Sequence, residues 1–190
     1  AWTMHNFSGF NDLPGHDSSY TDFHNMRTGT PGDYDLGSTY TGYFWHNNGT
    51  YLFCFGQNDI NRWTCSTPYD FKTAGSKIRF GGWSATPNFQ GGIIDFKMNL
   101  AGTRFLLANK GSGYVRQYDL TTPFDIRASN HLSTDDLDLT TVTSSYNGIF
   151  SSHNGEHIYA MHSSGRVYQW DLSSPFDVST ASYIRQITLP

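Results

Sequence analysis

The sequence is poor in charged residues, in cysteine and in long apolar runs. Charged side chains make up only 15% of its 190 residues, whereas aromatic ones reach 16%. A helical cytosolic enzyme usually contains more alanine, glutamate, lysine and leucine, so this composition favours an all-β chain with many turns. The net charge of −4 gives no electrostatic reason to expect a nucleic acid, and no apolar run is long enough to span a membrane. We therefore expect no nucleic-acid partner and no membrane insertion.

The usual motifs of catalysis and metal binding are missing as well. The sequence has no Gly-x-Ser-x-Gly elbow, no phosphate-binding loop and no dinucleotide fingerprint. His153 and His157 are four residues apart, but a Gly turn separates them, so the helical face of a zinc-protease motif is absent. Asp135 and Asp136 form an acidic cluster without the alternating ligands of a calcium loop. These absences predict a non-enzymatic protein with no metal and no cofactor.

The sequence contains one unit that is written three times. Gly49, Gly102 and Gly155 open equivalent strand-like runs and are spaced by 53 residues. A tetrad of Pro, aromatic, Asp and apolar residue follows in each copy, and the three tetrads are Pro68–Phe71, Pro123–Ile126 and Pro175–Val178. A repeat of this length decides the fold assignment, because each copy is expected to be one supersecondary unit.

Each copy divides into four short strand-like runs. In the third copy the runs are at about residues 148–152, 156–162, 166–172 and 183–189. Val167 and Gln169 should face one way, and Tyr168 and Trp170 the other, which is the alternation of a half-buried strand. The last runs of the first and second copies are expected at 77–83 and 137–142. The sequence therefore predicts three four-stranded antiparallel units.

The tetrad is expected where the third strand of each unit leads into the fourth. Proline fixes φ for a turn, the aromatic ring has apolar area to bury, and the aspartate can accept hydrogen bonds from backbone N–H groups two residues on. A residue that recurs in every copy is first explained by what every copy must do. We therefore interpret Asp70, Asp125 and Asp177 as turn residues rather than as a catalytic or metal-binding set.

The stretch 167–181, preceded by Asn154-Gly155, resembles the blade repeat of β-propeller proteins found in marine phage virions and in secreted bacterial proteins. The match is strong in the second and third copies and weak in the first, where Thr64 and Cys65 replace Asp-Leu. The resemblance implies display or recognition on a rigid scaffold, at an extracellular, secreted or virion-surface location. It implies no particular ligand.

Three blades are fewer than the four to eight that usually close a propeller, and they leave two outer faces to cover. A segment of a larger propeller, a ring closed by a second copy and an open array of subunits all remain open. A pseudo-threefold β-trefoil or β-prism is the alternative fold. We divide the chain into a turn-rich N-terminal arm, 1–37, and a three-repeat β domain, 38–190, with repeats at about 38–85, 91–143 and 146–190.

Two cysteines and two sequons add further candidates. Cys54 and Cys65 are expected opposite each other on adjacent strands of the first copy, which leaves open either a disulfide or two small buried apolar residues. Asn6 and Asn48 begin sequons for N-glycosylation, although Asn48-Gly49 is first of all a hairpin turn.

Aromatic residues that break the repeat are the candidates for interface or ligand contacts, because rigid rings bury area at small entropic cost. They are Tyr20, Phe23 and Tyr34 in the arm, Tyr43 and Trp45 in the first copy, and Trp83 and Phe89 in an insertion. The leading hypothesis is a structural subunit of an extracellular assembly, such as a virion tail fibre or surface filament, with like subunits as partners. The alternatives are a carbohydrate- or receptor-binding module and, third, a propeller-type glycosidase or lyase fragment.

Overall fold

The computed structural model describes residues 40–46, 48–56, 59–81, 92–109, 113–127, 131–142 and 146–189. These residues form three four-stranded antiparallel sheets, each with its strands in simple chain order, as predicted. The first sheet is β1 (Tyr40–His46), β2 (Tyr51–Gly56), β3 (Asp59–Cys65) and β4 (Ala74–Gly81). The second is β5 (Ile93–Met98), β6 (Arg104–Asn109), β7 (Tyr114–Leu120) and β8 (His131–Asp138). The third is β9 (Tyr146–Ser151), β10 (His157–His162), β11 (Arg166–Leu172) and β12 (Ala181–Thr188).

The strands of the third sheet lie within two residues of their predicted bounds. The predicted last strand of the second sheet is wrong, because β8 runs over His131–Asp138 and not over 137–142. The strand ends where Asp138 accepts a hydrogen bond of 2.8 Å from the N–H of Thr140 and so caps a single 3₁₀ turn. In the first sheet such a turn precedes the last strand, so β4 begins at Ala74, earlier than predicted.

Two apolar cores hold the three sheets together in chain order. Phe53 and Phe55 of the first sheet pack with Phe96 and Phe105 of the second. The opposite face of the second sheet, which includes Leu106, packs against the third. The middle sheet therefore contributes alternate side chains of one strand to two different cores, as period-2 alternation requires.

Sheets stacked face to face in this way are consecutive blades of a β-propeller. A pseudo-threefold trefoil or prism would have its three sheets meet around one common core. In the described residues the first and third sheets contribute to separate cores, so that alternative is wrong. We call the sheets the first, second and third blade. The predicted arm lies outside the described residues, and within these residues no helix is long and apolar enough to cross a membrane.

Candidate functional site

Each blade is closed by the same contact between a glycine and the aromatic residue of the tetrad. In the third blade the N–H of Phe176 donates to the carbonyl oxygen of Gly155 at 2.9 Å. Gly155 has a φ of +73°, and a Cβ atom there would lie 2.2 Å from the Phe176 ring. Gly102 with Phe124, and Gly49 with Tyr69, repeat this arrangement. The 53-residue spacing of the glycines therefore reflects a backbone conformation and a close approach that a side chain would prevent.

The tetrad aspartates have the turn role that the sequence predicts. Asp70 accepts a hydrogen bond from the N–H of Lys72 at 2.9 Å, and Asp177 accepts one from the N–H of Ser179 at 3.1 Å. Asp125 accepts one from the N–H of Arg127 at 3.2 Å. The part of the chain that the structure describes contains no group of three or more His, Cys, Asp or Glu side chains able to hold a metal ion.

The first blade contacts the tetrad of the second through two side chains. Arg62 donates from Nη1 to the carbonyl oxygen of Phe124 at 2.7 Å. Its guanidinium lies 4.6 Å from the ring centroid of Tyr51, and the Tyr51 and Phe124 rings are 4.8 Å apart. Burial is the main cause that lowers the pKa of Arg62. A charged group is thus partly removed from water, and its bond to the next blade offsets that loss.

The second blade contacts the tetrad of the third through the equivalent positions. Gln117, like Arg62, stands six residues before the proline of its tetrad, and its Oε1 accepts a hydrogen bond of 2.9 Å from the N–H of Val178. Arg104, like Tyr51, stands two residues after the turn glycine, and its Nη1 lies 3.7 Å from a carboxylate oxygen of Asp177. The same two positions therefore connect each of these blades to the next one.

In the third blade these positions are Gln169 and His157, and the described residues contain no sheet after this blade. Gln169 donates from Nε2 to Asp171 at 2.7 Å, and its Oε1 accepts from Arg185 at 3.1 Å. Nδ1 of His157 lies 2.8 Å from the Asp171 carboxylate. The hydrogen bond from Gln169, followed by that from His157, lowers the pKa of Asp171. The positions that bind a following tetrad in the first two blades are here occupied by a polar network on the surface.

Apolar positions on the same side of the third blade are also exposed. Leu106 and Ala108 of the second blade are buried against the third, whereas none of the three described sheets lies over the equivalent Tyr159 and Met161. Cross-strand pairing places Phe150 beside Tyr159, with their rings stacked 4.9 Å apart. Phe150, Met161 and Ile187 are 47%, 39% and 49% exposed. We define the open face as Phe150, His157, Tyr159, Met161, Val167, Gln169, Asp171, Arg185 and Ile187.

The opposite end of the stack differs from the open face. The first-blade outer face, which we define as Leu52, Cys54, Trp63 and Cys65, points away from the second blade. Leu52 and Cys54 are nevertheless only 1% exposed, and the other two are buried as well. Of the two outer sheet faces formed by the described residues, the first-blade outer face consists of buried side chains, whereas the open face includes exposed apolar ones.

The register of the first hairpin corrects the sequence-based placement of the cysteines. Cys54 pairs with Asn61, whereas the N–H of Cys65 donates to the carbonyl oxygen of Thr50 at 2.8 Å. The predicted position opposite each other is therefore wrong, because Cys65 lies across from the start of β2, next to Thr50, and not across from Cys54. Both thiols are free and buried, and burial raises the pKa of Cys54 to about 12.

The remaining sequence candidates have mixed positions. Tyr43 is exposed on β1, and Trp45 packs edge-on against Tyr69 with ring centroids 5.7 Å apart. Asn48 has a φ of 52° in the hairpin turn predicted for it. Asn6, Tyr20, Phe23, Tyr34, Trp83 and Phe89 lie outside the described residues.

Sequence reasoning missed the open face. Gln169 and His157 follow the repeat, and the search for residues that break the repeat therefore passed over them. Counting back six residues from each tetrad proline would have aligned Gln169 with Arg62 and Gln117. That alignment would still not have shown which of the three positions contacts the tetrad of another described blade.

Solved β-propellers align with this chain over most of its length. The β-propeller domain of Cps50 (Swd1) from Myceliophteria thermophila aligns over 80% of this chain and 42% of its own, with a TM-score of 0.49 and 14% identity. The WD40 repeats of RRP9 align over 79% and 38%, with a TM-score of 0.48 and 10% identity. A candidate 6-phosphogluconolactonase from Bacteroides fragilis aligns over 79% and 42%, with a TM-score of 0.47 and 14% identity.

The chain therefore spans about two fifths of the length of these propellers. Comparison with protein-family models gives no match, and comparison with the sequences of curated proteins gives none either.

Proposed function

We propose that this chain is a non-enzymatic structural module of an extracellular assembly, such as a virion appendage or a surface filament, and that it works by packing against like subunits. The observation that carries the proposal is the open face of the third blade. Exposed Phe150, Met161 and Ile187 form an apolar sheet surface of the kind that marks a protein interface. An exposed sheet face of this kind offers area for packing against another protein surface.

The same surface has the composition expected of an interface. Met161, Val167 and Ile187 form an apolar group next to the β10–β11 turn, and the polar side chains of Gln169 and Arg185 lie beside it. Protein interfaces usually combine apolar area with polar groups at its side. Exposure of this apolar group leaves apolar area in water that a partner would remove.

The proposal is tested by measuring the mass of the full chain by light scattering over a wide range of concentrations. We expect a species heavier than one 21.4 kDa chain, with its share rising as the concentration rises. A mass that stays at one chain up to high micromolar concentration would contradict self-assembly as the function.

Carbohydrate binding is the second candidate, because the stacked pair of Phe150 and Tyr159 stands beside the network of His157, Gln169 and Asp171. An aromatic platform next to planar polar groups can stack on a sugar and bind its hydroxyls. The test is a glycan array with the wild-type chain and with Phe150→Ala. Loss of a glycan signal in the variant would favour this candidate, whereas a uniformly blank array would dismiss it. A blank polysaccharide-turnover screen would likewise dismiss a glycosidase or lyase.

A further inference from the structure

We propose that Asn48 is a site of spontaneous deamidation, at which the asparagine side chain closes onto the backbone nitrogen of Gly49 and becomes aspartate or isoaspartate. The inference goes beyond the proposed function and does not depend on it. It concerns the turn between β1 and β2 of the first blade, where the pair of residues that folds the hairpin is also chemically reactive.

The reaction needs only groups that the chain and water supply. The backbone nitrogen of Gly49, once it has lost its proton to hydroxide, forms a bond to Cγ of Asn48. The Cγ–Nδ2 bond breaks and the side-chain nitrogen leaves as ammonia, so a five-membered succinimide ring remains. Water then opens this ring at either carbonyl carbon, without oxidation or reduction. Because the ring closure is intramolecular, its rate depends on how freely the two groups can reach each other.

Two asparagine–glycine pairs occupy the same position in the repeat, so the chain contains its own comparison. Asn48 and Asn154 are 106 residues apart, twice the repeat of 53, and each precedes the turn glycine of its blade. Both asparagines are exposed, and the φ values of Gly49 and Gly155 are similar, at +83° and +73°. A difference in reactivity must therefore come from the asparagines and their contacts.

The side chain of Asn154 is held by its neighbours. Its Oδ1 accepts hydrogen bonds from Oγ of Ser152 at 2.7 Å and from the N–H of Glu156 at 3.4 Å. Its Nδ2 donates to the Glu156 carboxylate at 2.5 Å. The attacking nitrogen is engaged as well, because the N–H of Gly155 donates to the carbonyl oxygen of Ser152 at 3.0 Å. These bonds must break before the ring can close.

The first blade has other residues at the two supporting positions. The counterpart of Ser152 is His46, whose Nε2 lies 3.1 Å from the carbonyl oxygen of Asn99 in the second blade. This side chain is thus used in a contact between blades. The counterpart of Glu156 is Thr50, which has no carboxylate to accept a hydrogen bond from an asparagine amide.

The side chain of Asn48 is consequently unrestrained. It makes no hydrogen bond among the residues that the structure describes. The φ of Asn48 is 52° and that of Gly49 is 83°, and two successive positive values are what a type I′ hairpin turn requires. The turn therefore needs an asparagine–glycine pair for its backbone and leaves the asparagine side chain free to rotate towards the Gly49 nitrogen.

A third asparagine–glycine pair, Asn147-Gly148, lies inside β9. Gly148 is paired with Met161 of β10, so the sheet must open locally before a ring can close there. We therefore expect Asn48 to react first of the three.

The product changes the contact that closes the first blade. The carbonyl oxygen of Gly49 accepts a hydrogen bond of 2.9 Å from the N–H of Tyr69, and the Tyr69 ring lies too close to Gly49 for a Cβ atom. Isoaspartate lengthens the backbone by one carbon directly before this glycine, so it disturbs the closure. Aspartate only adds a negative charge to an exposed turn.

The first test follows the asparagine–glycine pairs in one molecule. The full chain, produced in bacteria so that no glycan occupies Asn48, is kept in mildly alkaline buffer and sampled over weeks. Peptide mapping with fragment-ion mass spectrometry assigns each deamidation to a residue. Each hydrogen bond that must break slows ring closure by a factor of about 2 to 10, so Asn48 should react about tenfold faster than Asn154. In guanidinium chloride the two rates should be similar, because both residues precede glycine.

The second test transfers the difference from one blade to the other. Glu156→Thr gives the third blade the residue of the first and should raise the rate at Asn154 by a factor of about 2 to 10. Glu156→Gln is the matched control, because its amide oxygen still accepts a hydrogen bond and should keep Asn154 slow. The rate at Asn48 should be the same in both variants, and circular dichroism confirms that both fold.

Three results would overturn the proposal. The first is equal rates at Asn48 and Asn154 in the folded chain. The second is a faster rate at Asn48 in guanidinium chloride as well, which would assign the difference to the neighbouring sequence and not to the turn. The third is a rate at Asn154 that Glu156→Thr leaves unchanged, since the hydrogen bonds would then give no protection. None of these results depends on whether the chain self-associates.

Discussion

The second and third blades place equivalent residues on equivalent faces, yet only the face of the second blade lies against another of the described sheets. Leu106 and Ala108 are buried beneath the third blade, whereas at the same repeat positions Tyr159 is half-buried and Met161 is exposed. Gln117 accepts a backbone N–H of the next blade at 2.9 Å, whereas Gln169 accepts the side chain of Arg185 at 3.1 Å. The repeat therefore specifies a face with the properties of an interface whether or not the same chain supplies the neighbour.

The side chains on the open face are also not those of an ordinary solvated sheet. A sheet with one face in water normally alternates apolar residues inside with polar residues outside. β10 and β11 instead carry Tyr159, Met161 and Val167 outwards, mixed with His157 and Gln169. The difference between the two blades thus lies in their neighbours and not in the character of their faces.

The largest difference in stability is expected when an acidic residue is placed in the covered face of the second blade or in the open face of the third. Leu106→Asp would bury an unpaired carboxylate between two blades and should destabilise the chain by more than about 4 kcal/mol. Tyr159→Asp, at the equivalent position, should cost about 1 kcal/mol, mainly through lost stacking on Phe150. Urea unfolding, at concentrations low enough to keep the chain monomeric, measures both. Similar losses for the two variants would mean that the open face is covered in the isolated chain.

The next largest effect tests how much the contact between Gly155 and Phe176 stabilises the third blade. Gly155→Ala should cost about 1 to 2 kcal/mol for the left-handed backbone and about 1 to 3 kcal/mol more for the clash with Phe176. Gly165→Ala is the matched control, because its φ is +78° and a Cβ atom there meets nothing within 4 Å. It should lose only the backbone part. Equal losses in thermal unfolding would show that the closure of Gly155 on Phe176 is loose and that the open face belongs to a frayed blade.

The elements that the sequence predicted well are those with a local cause. The turn glycine and the tetrad aromatic contact each other within one blade, and each tetrad aspartate bonds to an N–H group two residues on. Because both contacts are made inside one repeat, the 53-residue period of the sequence was enough to predict the repeating unit. The strands of the third sheet followed from alternation alone. Local chemistry was sufficient for the blade count and for the structural role of Asp70, Asp125 and Asp177.

Features that depend on distant pairing could not be read in this way. β8 is a polar, acidic segment that looks like a loop, but Asp136 lies across from Arg116 on β7 and forms an ion pair with it at 3.2 Å. The cysteine placement failed because the register of β2 with β3 depends on the geometry of the turn between them. The sequence also could not distinguish the covered face from the open one. Leu106 and Tyr159 both have large apolar side chains, and they differ only in whether another described sheet packs against them.

The smallest effect distinguishes a hydrogen bond between blades from its equivalent on the open face. Gln117→Ala removes the acceptor of the buried Val178 N–H and should cost about 1 to 3 kcal/mol, because that donor then has neither protein nor water as a partner. Gln169→Ala removes contacts among surface side chains and should change the free energy of unfolding by no more than about 0.5 kcal/mol. Hydrogen exchange at Val178 gives a second readout, and we expect it to be faster only in the Gln117 variant. If Gln169→Ala lowered the free energy of unfolding as much as Gln117→Ala does while the chain is monomeric, Gln169 would stabilise the single folded chain. If the loss appeared only at concentrations where the chain self-associates, Gln169 would have the same role between two copies that Gln117 has between two blades.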